Sequence, residues 1–247
     1  MKRGVHAILF AFFDADEELD RTAMRRQVEL CLDSGVAGIA ALGLATEVSK
    51  LSFTERCRLI TWTAEDVGGR VPLGITIVGN SVAEQVAQIR IAEQAGADWL
   101  ILQPPQAGNF PAEEYIAFFS RVMEQTRLPC AIQNAPSYLG RGLSDADIGQ
   151  LRRHHANFSI VKAESSADDA ARLKRICGRE LLVFNGRGGL EMIECLRAGC
   201  DGFLLAPDLV DYGARGMVLD DAGRPELAAQ VHADALQAIN FVMRSLE

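Results

Sequence analysis

Short apolar runs alternate with longer segments of helical periodicity along the whole chain. Eight runs have the length and the β-branched or aromatic content of buried strands. They cover residues 5–12, 38–42, 71–78, 99–102, 129–132, 158–164, 181–184 and 202–205. Each is followed by a helical pattern, which predicts the α/β class and a closed (β/α)8 TIM barrel. A doubly wound open sheet is the alternative, but no Gly-rich phosphate fingerprint follows its first strand.

Local signals mark several helix ends. Ser52 with Glu55 and Ser81 with Glu84 form predicted capping boxes, and Ser144 is predicted to open the helix after the fifth strand. The segments 34–39, 95–100 and 198–203 share one plan, in which a glycine ends a helix and a strand begins soon after it. This weak repeat predicts similar helix-to-strand turns at one end of the barrel.

The predicted domain organisation is one barrel, residues 1–207, with a short C-terminal helical tail, residues 208–247. The apolar residues of the tail are spaced for one amphipathic helix, and they are Leu227, Val231, Leu236, Ile239 and Val242. The pattern is still helical where the sequence stops, so we expect a shortened form with a deficit in stability or assembly.

Composition narrows the possible partners. The chain has 247 residues and a formal net charge of −8, which argues against nucleic acid or an anionic membrane as a partner. The six cysteines form no Cys-x-x-Cys pair, which predicts reduced core thiols in a cytoplasmic protein. The four histidines are dispersed, so we expect neither a metal site nor a cofactor.

One lysine stands out. The chain has only four lysines, and Lys162 alone lies at the end of an apolar strand-like run. In barrels of this class the active site lies at the carboxyl ends of the strands. Glu164 follows two residues later and is expected on the same side. A lysine shielded from water can attack a carbonyl carbon, and a neighbouring carboxylate can transfer protons. The simpler interpretation is a lysine that extends from a strand end to solvent.

Three segments resemble one known family, the Schiff-base aldolases and dehydratases grouped with dihydrodipicolinate synthase and N-acetylneuraminate lyase. The segments are residues 43–56, the turn Asn134-Ala135-Pro136, and Ile160-Val161-Lys162. The resemblance covers nearly the whole chain. It implies a TIM barrel in which Lys162 forms an imine with C2 of a 2-oxo acid. It also implies further C-terminal helices in most members, and a homo-oligomer, either dimer or tetramer.

The family's first motif reads Gly-[Thr/Ser]-Thr-Gly-Glu and holds the substrate carboxylate. Here it reads Gly43-Leu44-Ala45-Thr46-Glu47, so the hydroxyl positions are lost and Thr46 stands in place of a glycine. The resemblance then implies that Gly43, Ala45, Thr46 and Glu47 bind substrate through backbone amides and the Thr46 hydroxyl. The alternative for Glu47 is that it only stabilises the loop after the second strand.

The family's proton-relay tyrosine is also replaced. Gln133 occupies its place, and a glutamine cannot shuttle a proton as a phenol does. After the fourth strand, where a second tyrosine is usual, the chain reads Gln103-Pro104-Pro105-Gln106. The arginine that binds a second carboxylate in the synthase corresponds to Tyr138. These departures favour the family members that dehydrate 2-keto-3-deoxy sugar acids over the synthase.

The predicted catalytic residues are therefore Lys162, Glu164 and Gln133. The remaining predicted substrate-binding residues are Asn134, Tyr138, Asn185 and Phe203. Several have structural alternatives. Glu164 could pair with Arg187, Gln133 and Asn134 could only fix their loop, and Tyr138 could pack at a subunit contact.

The predicted function is a lyase that dehydrates or cleaves a 2-keto-3-deoxy sugar acid-like substrate through an imine on Lys162. Condensation of pyruvate with an aldehyde, as in the synthase, is one alternative. A catalytically weakened barrel that acts as a binding module is another. The expected partner is a small 2-oxo acid.

Overall fold

Eight parallel strands close into a barrel in the computed structural model, which describes residues 2–178 and 180–244. Each strand pairs with the next one in the chain, and β8 pairs with β1. The strands are β1 Gly4–Ile8, β2 Gly38–Ala41, β3 Leu73–Ile77, β4 Trp99–Leu102, β5 Cys130–Asn134, β6 Phe158–Ala163, β7 Leu182–Asn185 and β8 Gly202–Leu205. The predicted (β/α)8 TIM barrel is confirmed.

Helices surround the barrel. They are α1 Arg21–Asp33, α2 Phe53–Val67, α3 Val82–Ala95, α4 Ala112–Met123, α5 Pro136–Leu139, α6 Asp145–His154, α7 Ala167–Cys177, α8 Met192–Arg197, α9 Val210–Asp221 and α10 Pro225–Met243. Both predicted capping boxes are present, and Ser144 caps α6. The glycine turns also form as predicted, with positive φ at Gly35, Gly96 and Gly199. Among the described residues, no helix combines the length and apolar character needed to cross a bilayer.

The two faces of the strands are both apolar, as expected for a parallel barrel covered by helices. The inner face packs a small core, and its residues are Ile8, Ala40, Trp99, Ile101, Ala131, Ile160, Phe184 and Leu204. The outer face packs against the helices in a much larger cluster. All six cysteines are free, and Cys31, Cys130, Cys195 and Cys200 are buried.

Strand limits differ from the prediction mainly at β1. The predicted run 5–12 continues past the strand, which ends at Ile8. The reason is local, because the backbone N–H of Phe10 donates to the Gln27 side chain at 2.9 Å and its carbonyl accepts from the same amide. The backbone of Phe10 is therefore bonded to a helix side chain.

The segment after β8 forms two helices where the sequence indicated one. The predicted amphipathic helix is α10, and α9 lies in the first part of the predicted helical tail. α9 packs against β1 in the position of the barrel's eighth helix. Residues 245–247 of the predicted tail lie outside the described residues.

Candidate active site

A cavity of about 1230 Å³ opens at the carboxyl ends of the strands, where the barrel rule places an active site. Lys162 and Glu164 both line it. Because alternate residues of β6 share a face, both side chains continue the inner face on which Ile160 lies. Lys162 is only 2% exposed, so its stem is enclosed by the barrel and does not extend to bulk solvent.

The Lys162 amine and the Glu164 carboxylate form a buried ion pair, with Nζ 3.1 Å from Oε1. The other carboxylate oxygen, Oε2, accepts the backbone N–H of Arg187 at 2.7 Å. Gly186 allows this approach, since a Cβ at that position would lie 2.2 Å from Oε2. The carboxylate is therefore held beside the amine from β6 and from the loop after β7.

A third donor reaches Glu164 from β5. The Gln133 side-chain Nε2 lies 3.4 Å from Glu164 Oε1, and Gln133 Oε1 accepts Gln103 Nε2 at 2.9 Å. Both glutamines are 1% exposed. The structure thus brings Gln133 to the lysine–carboxylate pair, as predicted. The structure also adds Gln103 to the site. In the sequence this residue was notable only because its segment lacks the second tyrosine that is usual in the family.

The loop after β2 departs from the expected role of Thr46. Its hydroxyl donates to the Leu9 carbonyl and accepts the Gly43 N–H at 3.0 Å, and neither Thr46 nor Gly43 lines the cavity. The Thr46 hydroxyl is therefore engaged by backbone groups of Leu9, which follows β1, and of Gly43, and it does not face the cavity as predicted. Ala45 does line the cavity, together with Leu44.

Glu47 lines the cavity and has a left-handed backbone, with φ of 54°. Its carboxylate pairs with Lys50. This contact matches the alternative in which Glu47 braces the loop, and it leaves the residue at the cavity edge.

Three predicted substrate-binding residues do not line the cavity. Asn134 exchanges two hydrogen bonds with the backbone of Leu143, so it fixes the loop after β5. Asn185 donates to the Ser165 carbonyl at 2.9 Å. Phe203 faces the helix layer, and its neighbour Leu204 faces the cavity. Each of these side chains is engaged elsewhere and is not placed at the cavity, so its role in binding substrate stays a prediction.

Tyr138 lines the cavity, as does Arg187, and its phenol is among the groups that raise the pKa of the Arg187 guanidinium. The guanidinium also donates to Glu191 at 2.8 Å. Burial lowers the pKa of Arg187, but the contacts with Tyr138 and Glu191 outweigh it and leave that pKa above its ordinary value. Arg187 contacts Glu164 only through its backbone N–H, so the predicted pairing of the two side chains is not formed.

Sequence reasoning missed part of the cavity wall. Polar side chains come from the segments after β6 and β8, and they are Ser165, Ser166, Asp169 and Asp208. They follow strand ends, so the barrel rule could have selected them. Burial raises the pKa of Asp208, which makes no ion pair among the described residues. Apolar side chains of α10 also line the cavity, and no local signal places a terminal helix there.

Known proteins are similar to this chain in architecture and in sequence. A 4-hydroxy-tetrahydrodipicolinate synthase of Pelobacter propionicus is 28% identical over 185 residues, which cover 75% of this chain and 63% of that protein. The aligned part is thus less than two thirds of that relative. The solved structure of the 4-hydroxy-tetrahydrodipicolinate synthase of Methylacidiphilum fumariolicum SolV superposes with a TM-score of 0.91 at 25% identity, covering 98% of this chain and 81% of that one.

A second solved structure has a bound ligand. YagE, a prophage protein of the dihydrodipicolinic acid synthase family from E. coli K12, was solved in complex with pyruvate. It superposes with a TM-score of 0.90 at 23% identity, covering 99% of this chain and 87% of that one. The model of the dihydrodipicolinate synthetase family matches residues 1–244. The chain therefore belongs to the dihydrodipicolinate synthetase family, whose members are class I Schiff-base lyases.

Proposed function

We propose that this protein is a lyase that forms a Schiff base between Lys162 and a 2-oxo acid. The observation that carries the proposal is the buried ion pair of Lys162 and Glu164, 3.1 Å apart, at the wall of a cavity large enough for a small organic acid. A buried amine beside a carboxylate that can take its proton is the arrangement that imine formation requires.

In the proposed reaction the neutral amine attacks C2 of the 2-oxo acid, and the carbonyl oxygen leaves as water. The resulting iminium draws electrons from C3. Glu164, the nearest carboxylate to Lys162, removes the C3 proton. The C4 hydroxyl takes up a proton from the cavity side and leaves as water, which gives dehydration. Water then hydrolyses the imine, which releases the product and the free Lys162 amine. In the aldol variant the C3–C4 bond breaks as the C4 hydroxyl loses its proton.

We propose a 2-keto-3-deoxy sugar acid-like substrate. Its C1 carboxylate would be held by backbone N–H groups at Leu44 and Ala45, since the Thr46 hydroxyl is already bonded within the loop. The hydroxyls of its far end would meet the polar wall, in which Asp208 makes no ion pair among the described residues. A neutral hydroxylated chain suits this wall better than a second acid group, because the wall presents more carboxylates than cations.

Condensation of pyruvate with an aldehyde is a second candidate, since the matched relatives are named as synthases. The position after Ser137, however, holds Tyr138 in place of the arginine that the synthase resemblance requires. A binding module without turnover is the third. Analysis of products from a 2-keto-3-deoxy acid, and from pyruvate with an aldehyde, separates water loss, carbon–carbon cleavage and condensation.

The decisive experiment is borohydride reduction in the presence of pyruvate, with mass spectrometry of the digested protein. We expect a covalent adduct on the peptide that contains Lys162 and none on a Lys162→Ala variant. Lys50→Ala is the matched control, because it removes the lysine paired with Glu47 at the cavity edge. A wild-type protein that forms no adduct with any 2-oxo acid would be a binding module, and the proposal would be wrong.

We also propose a cytoplasmic homo-oligomer. The six free thiols suit a reducing compartment. Exposed apolar side chains, among them Val218 of α9 and Phe241 of α10, suit a subunit contact. Light scattering after size-exclusion chromatography tests the assembly, and a single species of one chain's mass would contradict it.

A further inference from the structure

Gln103 does not line the cavity, yet it is connected to the lysine–carboxylate pair through one side chain. Its Nε2 donates to Gln133 Oε1 at 2.9 Å, and Gln133 Nε2 lies 3.4 Å from Glu164 Oε1. The path crosses three neighbouring strand ends, β4, β5 and β6. All three side chains are buried, so water does not compete for these bonds.

The direction of donation along the path from Gln103 through Gln133 is set by Glu164, at its end. An ionised carboxylate only accepts hydrogen bonds, so Gln133 must turn its NH2 group toward Glu164. Its oxygen then faces Gln103, which in turn must present its own NH2 group. If that donor were absent, the Gln133 amide could rotate and place its oxygen against the carboxylate.

A second observation indicates that the role of Gln103 is not to stabilise the fold. Its own Oε1 is buried and has no hydrogen-bond partner among the described residues. Burying an unpaired amide oxygen is unfavourable, and an apolar side chain of similar size would avoid that cost. A methionine would fill the same space without the unpaired oxygen.

We propose that Gln103 is a positioning residue for the reaction, which orients the Gln133 amide so that only N–H groups face Glu164. This inference rests on the proposed function, because it takes Glu164 as the group that accepts protons. Glu164 is then surrounded by three donors, which are the Lys162 amine, the Arg187 backbone N–H and the Gln133 amide. The arrangement holds the carboxylate in one orientation beside the Lys162 amine.

The test is a double-mutant cycle on the rate of borohydride trapping with pyruvate, using Gln103→Met, Gln133→Met and the double variant. We expect Gln103→Met to slow trapping roughly tenfold, the effect of one lost hydrogen bond to a charged group. In the Gln133→Met background the same change should alter the rate less than about twofold, because Gln103 acts through Gln133. Independent, multiplicative effects would overturn the proposal.

Two further measurements exclude a merely structural role. The shape of the pH–rate profile for trapping should change in Gln103→Met and stay as in wild type in Gln88→Met, because only the path from Gln103 ends on the charged pair of Glu164 and Lys162. The other charged groups on the cavity wall are Glu47, Asp169, Arg187 and Asp208. An unchanged profile in Gln103→Met would contradict the proposal.

Gln88→Met is the matched control, because Gln88 is an equally buried glutamine whose oxygen accepts the Val78 N–H away from the site. We expect it to leave the trapping rate unchanged, and a loss as large as that of Gln103→Met would overturn the proposal. Unfolding by urea should show Gln103→Met to be close to wild type in stability, because loss of the unpaired Gln103 oxygen is offset by loss of the donor to Gln133 Oε1. If wild-type protein forms no adduct, the proposed function falls and this inference with it. If wild type forms the adduct but the cycle is multiplicative, only this inference falls.

Discussion

Gly186 offers a direct way to disturb the catalytic carboxylate without removing it. A Cβ at this position would lie 2.2 Å from Glu164 Oε2, 2.6 Å from its carboxyl carbon and 2.7 Å from Oε1. All three distances are far below van der Waals contact. In Gly186→Ala the carboxylate must move.

The expected magnitude follows from what the carboxylate loses. It gives up the Arg187 N–H at 2.7 Å, the Lys162 amine at 3.1 Å, or both. A hydrogen bond to a charged group contributes about 1.5–3 kcal/mol. We therefore expect the trapping rate with pyruvate to fall by about 10- to 100-fold. The free energy of unfolding should fall by about 1–3 kcal/mol.

The assay is the rate of borohydride trapping, measured beside urea denaturation of the same protein. Gly149→Ala in α6 is the matched control, because the nearest atom to its new Cβ is 3.6 Å away. It should trap at the wild-type rate and gain about 0.5–1 kcal/mol of stability. Combining Gly186→Ala with Glu164→Asp, which shortens the acid, should relieve the loss of stability but not restore the rate. A Gly186→Ala protein with wild-type rate and stability would refute this account of the site.

Three other predictions test separate parts of the chain. Thr46→Val removes the hydroxyl that joins Leu9 to Gly43, so the free energy of unfolding measured in urea should fall by about 2 kcal/mol. Burial lowers the pKa of His6 from 6.5 to about 4, so stability should fall by about 3 kcal/mol as the pH drops from about 6.5 to 4. A His6→Leu variant should lack that part of the pH dependence, and identical curves would contradict the assignment. Asp208→Asn removes a charged acceptor, so it should raise KM for a hydroxylated 2-keto-3-deoxy acid about tenfold and leave the rate of pyruvate trapping unchanged. Equal effects on that KM and on pyruvate trapping would exclude a role of Asp208 at the far end of the substrate.

The fold was largely predictable because its signals are local. Strand runs, capping boxes and glycine turns each depend on a few neighbouring residues. The exception is the separation of α9 from α10, because Gly213 and Gly216 weaken the helical pattern of α9. Packing explains the first of these, since a Cβ on Gly213 would lie 2.5 Å from the Leu205 side chain. The glycine lets the helix approach the barrel closely, and that requirement is not visible in the sequence.

The site was predictable only where strand alternation determines it. Lys162 and Glu164 are two residues apart on one strand, and they meet as expected. Phe203 was assigned to the wrong face of its strand. A strand of a parallel barrel is apolar on both faces, so no alternation of apolar and polar residues indicates which side chains face the cavity. Thr46 was misjudged because its partner Leu9 is 37 residues away in the chain. The Gln103–Gln133 contact joins residues 30 apart and was likewise invisible.

The replacement of tyrosine by glutamine changes where protons can move in the proposed reaction. On the buried side of Glu164 the groups in contact are the amide of Gln133 and the backbone N–H of Arg187, and neither can release a proton near neutral pH. Among the described residues that contact Glu164, only Lys162 has a side chain whose proton can pass to the carboxylate. The proton of the amine and the proton from C3 must therefore pass through the same carboxylate. The departing C4 hydroxyl needs a further proton, and that proton would have to arrive from the cavity side. Asp208 lines the cavity there, and burial raises the pKa of its carboxyl group. On this reasoning Asp208→Asn should slow release of the C4 hydroxyl more than it slows formation of the imine.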